Sequence, residues 1–158
     1  MDPLDHLRQI ARQTSDRAVV PFSRTPVGVA LLLSDGVVMT GARIESASYP
    51  LTIPALQAAW ARTRAAGRSD LVAVASSRPL APAEQAFLSE DSRRRWHVED
   101  GEVAAVDGFS LHAPTDLLDG RVESPEAPMD TARWAATHAY APVSHFPVGC
   151  VMETDQGW

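Results

Sequence analysis

Residues 21–33 read Pro-Phe-Ser-Arg-Thr-Pro-Val-Gly-Val-Ala-Leu-Leu-Leu, and this stretch decides the plan of the chain. It passes from a turn rich in proline into a nearly continuous apolar run at residues 27–33. Such a run is typical of a strand that is buried on both faces of a sheet. Ser34-Asp35-Gly36 then reverses the chain into a second strand at residues 37–43, so we predict a β-hairpin.

The opening of this stretch returns near the end of the chain. Residues 21–28, here the first copy, are followed 121 positions later by residues 142–149, the second copy, which read Pro-Val-Ser-His-Phe-Pro-Val-Gly. A repeat in register indicates one unit of about that length followed by the opening of another. We therefore predict a first unit over residues 1–120, a linker over 121–130 and the helix and first strand of a second unit over 131–158.

Composition limits the classes of function. The 158 residues are 45% hydrophobic and 22% charged, and they contain no apolar run of the roughly 18 residues that a membrane helix needs. The net charge of −6 disfavours sequence-independent binding to nucleic acid, which needs a basic surface, and we interpret Arg93-Arg94-Arg95 as a solvated loop. The amino terminus lacks the pattern of a secretory leader. We expect no membrane and no nucleic acid among the partners, and a cytoplasmic location.

Helical and strand patterns alternate along the first unit. The apolar positions of its three predicted helices are Leu4, Leu7, Ile10 and Ala11, then Ile53, Leu56, Ala59 and Trp60, then Ala83, Ala86 and Phe87. Further strands are predicted at residues 71–75, 96–98 and 103–106. The order α-β-β-α-β-α-β-β predicts a layered α/β fold.

The second unit is predicted to begin like the first. A helix face is formed by Ala132, Ala135, Ala136, Ala139 and Tyr140, and residues 148–152 are predicted to begin a strand. The single cysteine, Cys150, excludes an intrachain disulfide and any multi-cysteine metal site within one chain.

Two stretches carry a resemblance to the cytidine deaminase family. Residues 21–31 are similar to its pattern Pro-Tyr-Ser-Lys-Phe-Pro-Val-Gly-Ala-Ala-Leu, and residues 40–49 to its pattern Thr-Gly-Cys-Asn-Val-Glu-Asn-Ala-Ser-Tyr. Order and spacing agree over about residues 17–120, and residues 139–149 resemble the family opening more closely still. The resemblance implies a three-layer α/β/α fold, with a mixed central sheet of about five strands and helices on both faces.

The resemblance also implies a chemistry, namely hydrolytic deamination at C4 of cytosine. In the family, a zinc ion held by Cys and His ligands activates a water molecule, and a glutamate that does not bind the metal carries protons. That chemistry needs a Cys/His-Ala-Glu triplet at one helix start and Pro-Cys-x-x-Cys at the next. Thiolates suit helix starts because the free N–H groups there stabilise negative charge.

This chain keeps the sequence around the two motifs and lacks the metal-binding and acid–base side chains within them. The first reads Pro54-Ala55-Leu56 and the second Pro79-Leu80-Ala81-Pro82-Ala83. By resemblance, Pro54, Leu80 and Ala83 stand where the metal ligands would be, and Leu56 stands where the glutamate would be. We predict that this chain alone holds no zinc and is inactive, and that Leu56 and Leu80 fill the vacated pocket as core.

Other polar candidates are few. His97 and His112 lie at no helix start beside a second candidate ligand, so we interpret both as structural or exposed. Glu45 stands where the family binds ribose, and its carboxylate could accept a hydrogen bond from a sugar hydroxyl, although a structural carboxylate is the alternative. The neighbouring family asparagine is Arg43, and the aromatic of the base pocket is Thr25. In the second copy, Phe146 and Pro147 match the family.

Three functions stay open at this point. The first is a non-catalytic domain with an architectural or oligomerisation role in a pyrimidine nucleoside deaminase. The second is a zinc-free nucleoside-binding or regulatory module, and the third is part of an active cytidine deaminase whose catalytic residues lie on a downstream half. The expected partner is a second copy of the chain or a chain carrying the remainder of the second repeat, because an unpaired strand edge invites docking. A pyrimidine nucleoside is the expected small ligand.

Overall fold

A computed structural model describes residues 2–90, 94–108, 112, 114, 116–117 and 128–152. The helices are α1 (Pro3–Ser15), α2 (Ala55–Ala65), α3 (Pro82–Ser89) and α4 (Pro128–Thr137), with a short 3-10 helix at Tyr49–Leu51. The strands are β1 (Gly28–Leu33), β2 (Val37–Ala42), β3 (Leu71–Ser76), β4 (Trp96–Glu99), β5 (Val103–Val106) and β6 (Asp116–Leu117). Within the described ranges, none of the helices has the length and apolar character that crossing a membrane requires.

All the strands belong to one mixed sheet in the order β4-β5-β3-β1-β2-β6. Neighbouring strands are antiparallel except β2 and the two-residue β6, which are parallel. The predicted hairpin is confirmed, since β1 pairs with β2 across the Ser-Asp-Gly turn. The Asp-Gly turn between β4 and β5 is confirmed as well, with positive φ at Asp100 (+41°) and Gly101 (+83°).

Both faces of β1 are covered, as the apolar run predicted. Val29, Leu31 and Leu33 lie in one core cluster with α2 and with Leu88 of α3. Ala30 and Leu32 lie in a second cluster with α1. Side chains alternate across a strand, so one helical layer covers each face of the sheet. The three-layer α/β/α arrangement is therefore confirmed.

Helix α1 begins as its sequence predicts and sets the position of β1. The Oδ1 atom of Asp2 accepts a hydrogen bond from the N–H of Leu4 at 3.2 Å, and Pro3 occupies the first turn. The start of β1 then touches the helix backbone. A Cβ at Gly28 would lie 2.3 Å from the carbonyl oxygen of Ala11 and 2.3 Å from the nitrogen of Ser15. Only glycine permits this approach.

Two helices of the first unit differ in detail from their prediction. Helix α2 begins at Ala55, so Ile53 lies before it and instead pairs with Ile44 through a β-bridge. Helix α3 buries Glu84 and Leu88, whereas Ala83 and Ala86 are exposed. The apolar spacing placed the helix correctly and its buried face wrongly, because the ion pair of Glu84 lets a carboxylate lie inward.

The second unit departs further from its prediction. Helix α4 begins at Pro128, inside the predicted linker over residues 121–130, and it ends at Thr137, before Ala139 and Tyr140. Residues 148–152 do not form the predicted strand. A strand needs a neighbouring strand for its hydrogen bonds, and the described residues place none beside this segment. The rest of the predicted second unit, residues 153–158, and most of the predicted linker lie outside the described residues.

The two copies nevertheless fold into the same turn. Arg24 has a φ of +53° and His145, its counterpart 121 residues later, has a φ of +51°. The N–H of Arg24 donates to the carbonyl of Val20 at 3.1 Å, and the N–H of His145 donates to that of Ala141 at 3.1 Å. The sequence repeat is therefore also a repeat of backbone conformation.

The second copy also packs on its own helix as the first copy does. A Cβ at Gly149 would lie 2.1 Å from the carbonyl oxygen of Ala132 and 2.4 Å from the nitrogen of Ala136. These two residues stand 121 positions after Ala11 and Ser15, which touch the glycine of the first copy in the same way. Helix α4 thus holds the second copy as α1 holds the first.

Candidate functional site

The starts of α2 and α3 line one cleft of about 340 Å³. Pro54 precedes the first residue of α2 in an extended conformation, and Ala83 is the second residue of α3. Both residues line the cleft, together with Arg43 and Arg78. The structure therefore brings together two of the positions that the resemblance assigned to metal ligands.

The two leucines behave as the sequence predicts. Leu56 is 0% exposed and Leu80 is 4% exposed, and both belong to the core cluster on the α2 side of the sheet. Each such burial contributes about 1.5–3 kcal/mol to the free energy of unfolding. The leucines do not fill all of the space, because a cleft of about 340 Å³ lined by Pro54 and Ala83 remains beside them.

The residues at this place do not fit a zinc ion. Zinc in proteins is bound by Cys sulfur, His nitrogen or carboxylate oxygen, and the side chains of Pro54, Leu80 and Ala83 offer none of these atoms. Across the described part of the chain, His, Cys, Asp and Glu side chains form no group of three that could hold a metal. His97 and His112 are both exposed, and neither lines the cleft.

An ion pair between half-buried Arg78 and buried Glu84 occupies one wall of the cleft. Glu84 has a side chain only 5% exposed, and Arg78 contacts its Oε2 at 3.0 Å and its Oε1 at 3.1 Å. The N–H of Ala81 also donates to Oε2, at 2.7 Å, so the carboxylate caps the start of α3. Sequence reasoning missed Glu84. The available signal was the spacing: Glu84 follows Ala81, the residue before the helix, by three positions, and a glutamate at that position can cap a helix start.

Glu45 lies outside the cleft lining, and its carboxylate binds the turn of the first copy. Its Oε2 accepts hydrogen bonds from the N–H groups of Phe22 and Ser23, both at 3.1 Å, and its Oε1 contacts Arg43 at 3.0 Å. Hydrogen bonds from Ser23, with those of Phe22 and the charge of Arg43, hold the pKa of Glu45 below its usual value of 4.5. Thr25 also lies outside the cleft lining.

A second, larger depression lies between α2 and the second copy. This groove of about 510 Å³ is lined by residues of α2 and by Phe87, Tyr140, Val148, Gly149 and Cys150. The ring of Tyr140 lies 5.9 Å from that of Trp60 and 6.1 Å from that of Phe87, centre to centre. Sequence reasoning missed this aromatic cluster, which joins positions far apart in the chain.

The groove carries polar groups as well. The Nε of Arg64 donates to the carbonyl of His138 at 3.0 Å, which ties the end of α2 to the end of α4. The indole Nε1 of Trp60 and the Oε1 of Gln57 are buried and have no hydrogen-bond partner within the part of the chain described. A polar contact at His138 and an aromatic cluster at Tyr140 therefore tie the segment just before the second copy to the first unit.

A protein-family model and several known proteins resemble this chain. A family model described as the cytidine and deoxycytidylate deaminase zinc-binding region matches residues 2–95. The cytidine deaminase of Halalkalibacterium halodurans is 46% identical over 76 residues, which cover 46% of this chain and 58% of that protein. The cytidine deaminase of Mycobacterium tuberculosis (strain H37Rv) is 42% identical over 69 residues, which cover 44% of this chain and 52% of that protein.

The fold agrees with solved structures of the same family. The crystal structure of cytidine deaminase from Mycobacterium tuberculosis aligns with a TM-score of 0.55 and 29% identity, and the alignment covers 70% of this chain and 99% of that one. The chain spans between half and three-fifths of the length of the two relatives quoted above. From the family match over residues 2–95, the chain belongs to the cytidine and deoxycytidylate deaminase family.

Proposed function

We propose that this chain is a non-catalytic, cytidine-deaminase-like unit with an architectural or oligomerisation role in an enzyme that converts cytidine to uridine. One observation carries the proposal. By the resemblance, Pro54, Leu80 and Ala83 stand at the family's ligand positions, and Leu56 stands at the position of its acid and base. These four side chains offer no donor atom for the metal and no carboxylate, so none of them could activate water or move the proton.

The second copy supports the architectural role. It repeats the opening of a deaminase-like unit in sequence and in backbone conformation, and Tyr140 seats it against Trp60 and Phe87 of the first unit. A unit completed from that opening would have a fixed orientation relative to the first. The proposed partner is accordingly a second copy of the chain or a chain carrying the remainder of the second repeat. A cytoplasmic location is part of this proposal.

A second candidate function is a zinc-free module that binds a pyrimidine nucleoside. It is favoured by the cleft of about 340 Å³ that persists between the two helix starts. Tyr49 lines this cleft and offers an aromatic ring, while Arg43 and Arg78 offer donors. Glu45 would contribute a hydrogen bond to ribose only by sharing oxygens that already bind Arg43, Phe22 and Ser23.

The test is a cytidine deamination assay of the purified chain, beside a melting experiment with cytidine and deoxycytidine. The architectural proposal expects no uridine, with or without added zinc, and an unchanged melting temperature. A melting temperature that rises with nucleoside, without turnover, supports the binding module instead. Turnover by the chain alone contradicts both functions. The cytidine deaminase of Mycobacterium tuberculosis serves as the positive control.

A further inference from the structure

We propose that the turn of the second copy is a binding site for a glutamate carboxylate, carried by a strand that is the counterpart of residues 37–45 in a second deaminase-like unit. The inference rests on the proposed function and names the surface and the partner through which it would act. The two N–H groups of Val143 and Ser144 bind the carboxylate, and the strand covers Val148 and Cys150.

The first copy shows how such a turn is held. Oε2 of Glu45 accepts hydrogen bonds from the N–H groups of Phe22 and Ser23, each at 3.1 Å. Backbone hydrogen bonds between Val19 and residues 43–45 extend this contact. The N–H of Val19 donates to the carbonyl of Arg43 at 2.9 Å, and the N–H of Glu45 donates back to the carbonyl of Val19 at 2.8 Å. One short stretch of chain, residues 43–45, therefore binds the turn by its backbone and by its carboxylate.

The second copy presents the same donors in the same conformation. Its turn matches the first in φ and in the hydrogen bond that closes it. A further match is the N–H of Phe146, which donates to Oγ of Ser144 at 3.2 Å, as the N–H of Thr25 donates to Oγ of Ser23 at 3.1 Å. The N–H groups of Val143 and Ser144 stand 121 positions after those of Phe22 and Ser23. Neither has an acceptor among the residues that the structure describes.

Burial around the two turns points to a strand rather than to a free anion. Val148 is 66% exposed, whereas its counterpart Val27 is 1% exposed. Cys150 is exposed, whereas its counterpart Val29 is fully buried. A small anion would satisfy the N–H groups and leave this apolar surface in water. In the first unit, Glu45 follows β2 by three residues. A strand followed by a glutamate in the same way would both cover the apolar side chains and satisfy the N–H groups.

The direct experiment attaches such a strand to the chain. Residues 38–108 are appended directly after Trp158, which stands 121 positions after Val37, so that the appended segment continues the repeat in register. This segment adds no cysteine, so Cys150 stays the single thiol. We expect its reaction with a thiol reagent to slow by about tenfold or more, because exchange then requires local opening. Amide exchange at Val143 and Ser144 should slow in parallel.

A matched pair of variants isolates the carboxylate. Glu45→Gln in the appended segment should restore fast amide exchange at Val143 and Ser144, whereas Glu45→Gln in the first unit should leave that exchange slow. A folded appended segment that leaves Cys150 and both amides as accessible as in the native chain overturns the proposal. Protection of Cys150 in the native chain that rises with protein concentration also overturns it, because a second copy of the chain is then the occupant.

A second measurement keeps the proposal testable if the extended chain fails to fold. A synthetic peptide with the sequence of residues 37–47 is added to the native chain, and the amide resonances of Val143 and Ser144 are followed by NMR. We expect both to shift with the native peptide and to shift less with its Glu45→Gln form. No shift with either peptide overturns the proposal. Zinc content and deamination enter none of these readouts, so failure here is separable from failure of the proposed function.

Discussion

The first and second copies share a backbone turn and a glycine packed on a helix, and they differ in the burial of the residues that follow the turn. Both turns place a non-glycine residue at positive φ, Arg24 at +53° and His145 at +51°. Both lead into a glycine pressed against a helix backbone. Yet Val27 lies in the core and Val148 in solvent. The difference separates what eight residues encode by themselves from what only neighbouring strands supply.

Strand formation belongs to the second category. Residues 28–33 form β1 because β2 and β3 pair with it on its two sides. Residues 148–152 resemble the start of β1 in sequence and form no strand, since no paired neighbour lies among the described residues. The helix and turn of a deaminase-like unit can therefore form without the neighbouring strands of its sheet.

The two glycines give the largest expected contrast. Gly28→Ala would force a Cβ to within 2.3 Å of backbone atoms of α1 in the core, so we expect a loss of about 3 kcal/mol or more in the free energy of unfolding. Gly149→Ala creates a comparable clash against α4, which the second copy can relieve by moving off α4 without disturbing the sheet core, so we expect a change within about 0.5 kcal/mol in the free energy of unfolding. Urea unfolding of the two variants measures this. Equal losses would show that the second copy is part of the same cooperative core.

The paired valines give the next largest contrast. Val27→Ala removes methyl groups that are 1% exposed and should lower the free energy of unfolding by about 1–2.5 kcal/mol. Val148→Ala changes a side chain that is 66% exposed, and we expect no more than about 0.5 kcal/mol. Thermal and urea unfolding provide the comparison. A loss above about 1 kcal/mol at position 148 would mean that Val148 is covered in solution.

Tyr140 should hold the second copy on the first unit. Tyr140→Ala removes two aromatic contacts, each worth about 0.5–1.5 kcal/mol, and no residue of the sheet. We expect faster amide exchange over residues 139–149, with the exchange of β1 unchanged. Val143→Ala is the control, because that side chain is 90% exposed in the same segment. Unchanged amide exchange in Tyr140→Ala would show that the aromatic cluster does not hold the second copy on the first unit.

The smallest expected effect is a pH dependence confined to the first copy. Hydrogen bonds from Ser23, aided by Phe22 and Arg43, lower the pKa of Glu45 in the folded chain. A lowered pKa contributes stability at pH values above the ordinary pKa of 4.5, and that stability is lost as the pH falls through the lowered value. We expect Glu45→Gln to flatten the dependence of stability on pH as the pH falls below the ordinary glutamate pKa of 4.5. An unchanged pH profile would show that the carboxylate of Glu45 does not stabilise the turn of the first copy.

Much of the first unit could be predicted because its signals are local. Asp2 and Pro3 mark the start of α1, the apolar run marks β1, and Asp100-Gly101 marks the turn between β4 and β5. Each signal acts within a few residues, through a side-chain cap, burial on both faces or a positive φ. The layered architecture follows from the order of these elements.

The parts that could not be predicted depend on contacts between distant residues. Glu84 lies inward on α3 because Arg78 neutralises it, and no apolar periodicity reports such a pair. Tyr140 meets Trp60 and Phe87 across a large separation in sequence. The cleft beside Pro54 and Ala83 likewise persists for a reason of volume, since two short side chains cannot fill the space between two helix starts.

Zinc stoichiometry of the purified native chain tests most directly the claim that this unit has the deaminase fold without its metal chemistry. The matched variant carries Pro54→Cys, Leu80→Cys and Ala83→Cys, which restores three thiols at the two helix starts that share the cleft. We predict close to zero zinc per native chain and about one per chain of the variant, since three thiolates and a water complete a tetrahedral site. One zinc per native chain would contradict the account.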